Sequence, residues 1–243
     1  MKTMLGVCLM LTALPAVAQE TISAERPGFS SSPFALDAGI WQVEGGYQYT
    51  QITSDAESHT LPLLLVRYGA GERTELQLSW SGYNQIDVGA SSVDGVGDVN
   101  VGVKWQLSDD GATTPFGLFA GVSLPAGDNA FSSNEIDPTV GLFWAHNGRM
   151  SVFGTVLISE FDNQSTIANA VGLNLPMSRL CNSCSAYVEY FGLFSENSGP
   201  QHNANGGVSW LPAVNFQLDI NLGIGINDRA PDGFLGFGAA YRF

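Results

Sequence analysis

Val99-Asn100-Val101-Gly102-Val103-Lys104-Trp105-Gln106-Leu107 decides how this chain is read. Its odd positions are apolar and its even positions are polar or glycine, a repeat of two residues. A helix would set Lys104 among apolar neighbours, whereas a strand sorts every residue to one of two faces. The same sorting recurs toward the C-terminus. Phe216, Leu218, Ile220, Leu222 and Ile224 alternate with Gln217, Asp219, Asn221 and Gly223. The last stretch puts Leu235, Phe237, Ala239, Tyr241 and Phe243 on one face and Gly236, Gly238, Ala240 and Arg242 on the other.

Extended over the chain, the alternation predicts twelve strands: 40–53, 60–68, 74–86, 96–107, 115–124, 138–146, 150–160, 167–175, 185–194, 205–210, 214–225 and 233–243. Composition says what the apolar faces touch. Hydrophobic residues make up 44% of the chain and charged residues only 13%, with 29 glycines. A soluble domain carries about 25% charge. A wall facing lipid excludes charge and accounts for the deficit. A soluble β-sandwich would have to bury both long stripes in one core and would leave the deficit unexplained. Helical spans are excluded, because they need about 18 or more apolar residues in a row. The longest apolar run, 61–66, contains Pro62 and ends at Arg67. The expected fold is therefore all-β, an antiparallel transmembrane β-barrel ending on an aromatic residue, Phe243.

The first residues predict export. Lys2, an apolar run over 4–14, Pro15 and Ala16-Val17-Ala18 form the pattern of a cleaved signal peptide over 1–18. Residues 19–39 precede the first strand, and 40–243 form the barrel. Pro27, Pro33 and the Ser30–Ser32 run argue against regular structure in 19–38. This segment is read either as a periplasmic tail or as an insert in the lumen, with Phe29 and Phe34 as its candidate gate residues. Cys181 and Cys184 are disulfide candidates in an oxidising compartment. His59, His146 and His202 lie far from them in sequence, so no metal site or cofactor is expected. A net charge of −14 excludes nucleic acid as a partner.

An even strand count puts both termini in the periplasm. Connections 69–73, 147–149 and 211–213 then fall on the periplasmic side, and 87–95, 125–137 and 195–203 are the longer outer loops. Two connections go against the trend: 161–166 is short for an outer loop and 176–184 long for an inner one. Arg67, Arg73, Arg149, Arg179 and Arg242 fall at periplasmic ends, while acidic residues such as Asp55, Glu57, Asp87, Asp128, Glu135 and Glu196 fall outside. Alternation turns Glu44, Glu75, Gln77, Asn100, Lys104, Gln106, Glu189, Gln217, Asp219, Asn221 and Arg242 toward the lumen. They either guide a solute or fill a closed interior. No G-x-S-x-G elbow is present, and the chain is not expected to be an enzyme. The alternative is a hydrolase at the outer rim, built from His59 or His202 with Asp55, Glu57, Ser58 or Glu196.

Three stretches carry a resemblance. They are Glu25-Arg26-Pro27-Gly28-Phe29 with Pro33, Leu36, Gly39 and Trp41-Gln42-Val43-Glu44; Gly95-Val96-Gly97-Asp98-Val99 with Gly102-Val103-Lys104-Trp105; and Leu124-Pro125-Ala126-Gly127-Asp128. Together the chain resembles the outer-membrane transporter family named after the meta-pathway of phenol degradation. The resemblance implies passive passage of a small aromatic or otherwise hydrophobic solute. The C-terminal Phe243 resembles the signal read by the barrel-assembly machinery. Outer-membrane lipid and lipopolysaccharide are the expected surroundings of a monomer.

Overall fold

A computed structural model describes residues 21–148, 150–177, 181–196 and 198–243. The signal peptide, Gln19, Arg149 and Arg179 lie outside the described residues. Fifteen β segments follow in order. The first eight are β1 (Trp41–Thr53), β2 (Ala56–Leu61), β3 (Leu64–Gly71), β4 (Thr74–Trp80), β5 (Tyr83–Val88), β6 (Ser91–Val96), β7 (Val99–Gln106) and β8 (Phe116–Leu124). The remainder are β9 (Asp137–His146), β10 (Val152–Phe161), β11 (Gln164–Pro176), β12 (Cys184–Ser195), β13 (Gly199–Ala213), β14 (Phe216–Gly225) and β15 (Gly233–Arg242). No helix occurs among the described residues.

Pairing registers reduce these fifteen segments to twelve spanning strands. β4 pairs with β7 at Trp80↔Val99, and β5 pairs with β6 at Tyr83↔Val96, so one register continues through both pairs. β2 with β3, β4 with β5, and β6 with β7 are therefore three strands, each broken once. All neighbours are antiparallel, and β15 pairs back onto β1 from Gln42↔Arg242 to Gln51↔Gly233. Closure leaves no free sheet edge around the wall, which a lipid-spanning sheet requires.

The three breaks lie side by side at Pro62, Gly82 and Gly97, and the Gly97 amide donates to the Gly82 carbonyl at 2.9 Å. Gly82 has φ +64, a left-handed conformation that favours glycine. Beyond this crease, β2, β5 and β6 continue outward as a flap. Outer loops expected at 87–95 and 195–203 are consequently mostly strand: the hairpin β5–β6 turns at 89–90, and β13 begins at Gly199 rather than at 205. Backbone ladders need no apolar face to continue into water, so alternation alone does not mark where they stop.

Burial is inverted relative to a soluble protein. Ile220, Leu222 and Ile224 are 50%, 61% and 57% exposed on the outer wall, whereas Glu44, Glu75 and Lys104 inside it are 0% exposed. Exposed aromatics ring the periplasmic end at Trp41, Trp105, Phe116, Trp210 and Tyr241. This amphipathic ring chemistry fits a membrane interface.

Candidate functional site

The interior is occupied by the chain's own N-terminal segment. From Ile22, whose amide bonds the Val214 carbonyl, residues 23–38 run through the lumen to Gly39, whose amide bonds Gly69. Between those two anchors no backbone–backbone bond ties the segment to the wall among the described residues. Lumen side chains take that role. Glu44 accepts the amides of Glu25 (3.0 Å) and Arg26 (3.1 Å). Glu189 accepts those of Phe29 (2.8 Å) and Ser30 (2.9 Å). Glu75 accepts Leu36 (2.8 Å) and Gln106 accepts Ala35 (3.1 Å). A buried irregular segment must satisfy its amides somewhere, and here carboxylates accept six of them, those of Glu25, Arg26, Phe29, Ser30, Ser32 and Leu36.

Charge pairing supplies a second set of ties. Arg67 reaches Glu25 (3.0 Å), Glu44 (3.1 Å) and Glu75 (2.8 Å). Lys104 bonds Glu25 and lies 3.9 Å from Glu75 and 5.3 Å from the centre of the Phe143 ring. Arg26 pairs with Asp219 at 3.1 Å. Its guanidinium occupies a gap left by Gly46 and Gly238, which face each other across the β1–β15 closure. A Cβ on either would come within 2.5 Å of it.

The segment divides the interior. On its periplasmic side lies a cavity of about 810 Å³, bordered by Thr21–Ser23, Phe34 and the inner ends of β12 and β13. On its extracellular side lies one of about 310 Å³, floored by Pro27, Gly28 and Phe29. Phe29 stacks on Phe191 with ring centres 4.7 Å apart. The two candidate gate residues thus border different cavities.

The expected lumen residues fall into two groups. Glu44, Glu75, Lys104, Gln106, Glu189, Gln217 and Asp219 all touch the inserted segment or its ion pairs; Gln217 donates to the Arg26 carbonyl at 3.2 Å. Gln77 bonds Glu75, Arg242 reaches the Thr21 carbonyl at 3.5 Å, and Asn221 borders the extracellular cavity. Asn100 shares the inward face of β7 with Lys104 but makes no side-chain bond to the segment among the described residues. Cys181 and Cys184 are joined as a disulfide in the periplasmic turn before β12.

Arg67 corrects the sequence reading. The sequence reading put it at a strand end and outside the lumen set, but it points inward and is 2% exposed. Its ladder partner Gln77, itself an expected lumen residue two positions from the inward Glu75, carried the signal. Glu25, Arg26 and Gln42 also belong to the site and were legible only as motif letters. The resemblance motifs meet in space. Asp98 accepts the amides of Ala126 (3.0 Å) and Gly127 (2.9 Å), and Asp128 exchanges bonds with Val96. These motifs latch the outer loop to the crease.

Of the residues considered for a rim hydrolase, His59 and Glu57 come together, Nε2 to Oε1 at 3.7 Å. His59 bonds the Tyr47 hydroxyl through Nδ1 at 2.6 Å and lies within metal-ligand range of Glu57 and Asp87 on the outer face of the flap. Ser58 alternates to the opposite face, away from His59. His202 bonds Tyr190 at 2.7 Å.

The chain matches the model of the family described as the MetA-pathway of phenol degradation over residues 24–243. No curated protein matches it. Among solved structures it is similar to an outer membrane channel from Pseudomonas putida F1, at 14% identity over 89% of this chain and 99% of that one, with a TM-score of 0.63. The NanC porin matches at 10% identity over 83% and 98%, with a TM-score of 0.57. A KdgM porin in complex with disordered oligogalacturonate matches at 11% identity over 84% and 99%, with a TM-score of 0.53. At these identities the likeness is one of fold.

Proposed function

Because this chain belongs to the MetA-pathway of phenol degradation family, we propose that it is a passive outer-membrane channel for a small solute, closed at rest by its own N-terminal segment. The observation that carries this is how the segment is held. Residues 23–38 are tied to the wall by side chains alone, so the insert can leave without breaking the barrel's ladder. A filled barrel meant only as a scaffold would gain nothing from a detachable core. The neighbours' printed names, channel and porin, point the same way. No cofactor or energy source is needed within the chain. The exposed outer stripe meets lipid and lipopolysaccharide, and Phe243, 68% exposed at the end of the closing strand, is presented to the assembly machinery.

The lumen favours some solutes over others. Arg26, Arg67 and Lys104 are each paired with carboxylates, so among the described residues no free row of cations awaits an acidic sugar of the kind seen with the KdgM porin.

Two variants in planar bilayers test the reading. Removing residues 21–38 is expected to raise single-channel conductance several-fold. The emptied lumen, with Glu44, Glu75, Glu189 and Asp219 facing Arg67 and Lys104, is expected to prefer cations by reversal potential. The double variant Phe29→Cys/Phe191→Cys joins the stacked pair. It should be silent when oxidised and conduct when reduced. Equal conductance in the oxidised and reduced forms would discard the gate.

A further inference from the structure

The extracellular cavity has a chemistry that the closure of the lumen does not require. Its volume is about 310 Å³, at the small end of the range of ligand cavities of about 300–1,000 Å³. Five amide side chains line it: Gln48, Gln201, Asn203, Asn205 and Asn221. No lysine, arginine, aspartate or glutamate does. In a chain whose lumen otherwise concentrates ion pairs, a wholly uncharged pocket is a local departure. Its apolar surface combines Leu193, Pro27 and Pro231 with three aromatic rings, Phe29 stacked on Phe191 and Phe234, whose ring centre lies 6.1 Å from that of Phe191.

Two of the amides carry unused hydrogen-bonding capacity. Asn203 is 2% exposed and its Nδ2 has no partner among the described residues. Asn205 is 8% exposed and donates Nδ2 to Glu189 at 3.1 Å. A carboxylate only accepts, so this bond fixes the orientation of the amide and leaves Oδ1 as the free atom, which is also without a partner. One donor and one acceptor therefore sit two residues apart on the inward face of β13. Leaving such groups buried and unpaired is unfavourable, and a ligand that pairs both removes that penalty.

We propose that this cavity is a binding site for an uncharged, hydroxyl-bearing ring compound of one or two rings, a neutral mono- or disaccharide. A hydroxyl both donates and accepts, matching Asn203 Nδ2 and Asn205 Oδ1. The C–H face of a pyranose packs on the electron-rich face of an aromatic ring. Absence of lining charge disfavours uronates and amino sugars, because a charged group would be desolvated there without a counter-ion. The inference rests on the channel reading for its physiological meaning, since the ligand would wait on the outer side of the gate. Binding itself is independent of conduction.

Saturation-transfer NMR on the full folded barrel in detergent tests it, with a neutral disaccharide, phenol and digalacturonate as separate probes. The neutral disaccharide is expected to receive saturation. Asn203→Leu should weaken it at least about tenfold, as should Phe234→Ala. His202→Ala, on the outward face of the same strand, should leave it unchanged. Circular dichroism and heat-modifiable mobility show which variants fold. Transfer to phenol or digalacturonate with none to the disaccharide would overturn the assignment of ligand class. Equal transfer in folded Asn203→Leu would overturn the site. Binding by the full barrel with no uptake into liposomes through the barrel lacking residues 21–38 would remove the channel reading and leave the site standing, whereas uptake through that barrel without binding by the full one would remove only this inference.

Discussion

At the residue scale, Arg67 is the keystone of the interior. Its guanidinium meets three carboxylates that would otherwise repel one another at close range. Planar, permanently charged arginine suits this role better than lysine, because its fork can serve several acceptors at once. Removing one partner from a buried charge network costs about 3–5 kcal/mol, since the remaining charges stay buried and unpaired. Arg67→Ala is therefore expected to lower the melting temperature in detergent. It should also expose residues 21–38 to protease under conditions where the unmodified protein resists. If thermal stability and protection both persist, the network does not hold the segment.

At the scale of elements, the plug and the wall fit through absences as much as contacts. Gly46 and Gly238 face each other across the β1–β15 closure and leave room for Arg26. Gly69 lies so close to the Asp37 carbonyl that a Cβ there would meet it at 1.9 Å. Gly46→Val fills the first gap while suiting the strand, and its Cβ would meet only the Arg26 guanidinium. It is expected to leave barrel folding intact, displace Arg26 from Asp219, and raise the open probability of the channel in bilayers. A folded Gly46→Val barrel with the conductance record of the unmodified protein would show that the niche does not matter to closure. The flap beyond the crease belongs to the same scale. Its strands continue registers set within the barrel, and the Asp98 and Asp128 contacts tie the outer loop to it.

At the scale of the whole molecule, burial is inside out. On the outer stripe of β14, Ile220, Leu222 and Ile224 are half exposed or more, while its inward face holds Gln217, Asp219 and Asn221 at 5–6%. Such a surface is stable only in lipid or detergent. Ile220→Arg, placed mid-strand on the outward face, is expected to cost about 2–4 kcal/mol of folding stability in bilayers. Urea titration in liposomes measures it. A change below about 0.5 kcal/mol, the usual size of an exposed substitution, would mean that the stripe does not face acyl chains.

Sequence alone determined the wall. Alternation is a local property, so residues such as Lys104, Asp219 and Glu189 were assigned inward, and Leu218 to Ile224 outward, without knowing any neighbour. The strand count and the direction of each strand followed from the same pattern. Only the tertiary structure decided the interior. Nothing local says that Arg26 pairs with Asp219, 193 residues away, or that Glu189 caps the amides of Phe29 and Ser30. The path of 21–38 has no periodicity to read, because its amides are met by side chains scattered over the barrel rather than by a ladder. Arg67 looked like a mouth charge until closure brought Glu25, Glu44 and Glu75 around it. Faces are encoded residue by residue, whereas partners inside a closed barrel are set by closure, which brings together positions that the sequence keeps far apart.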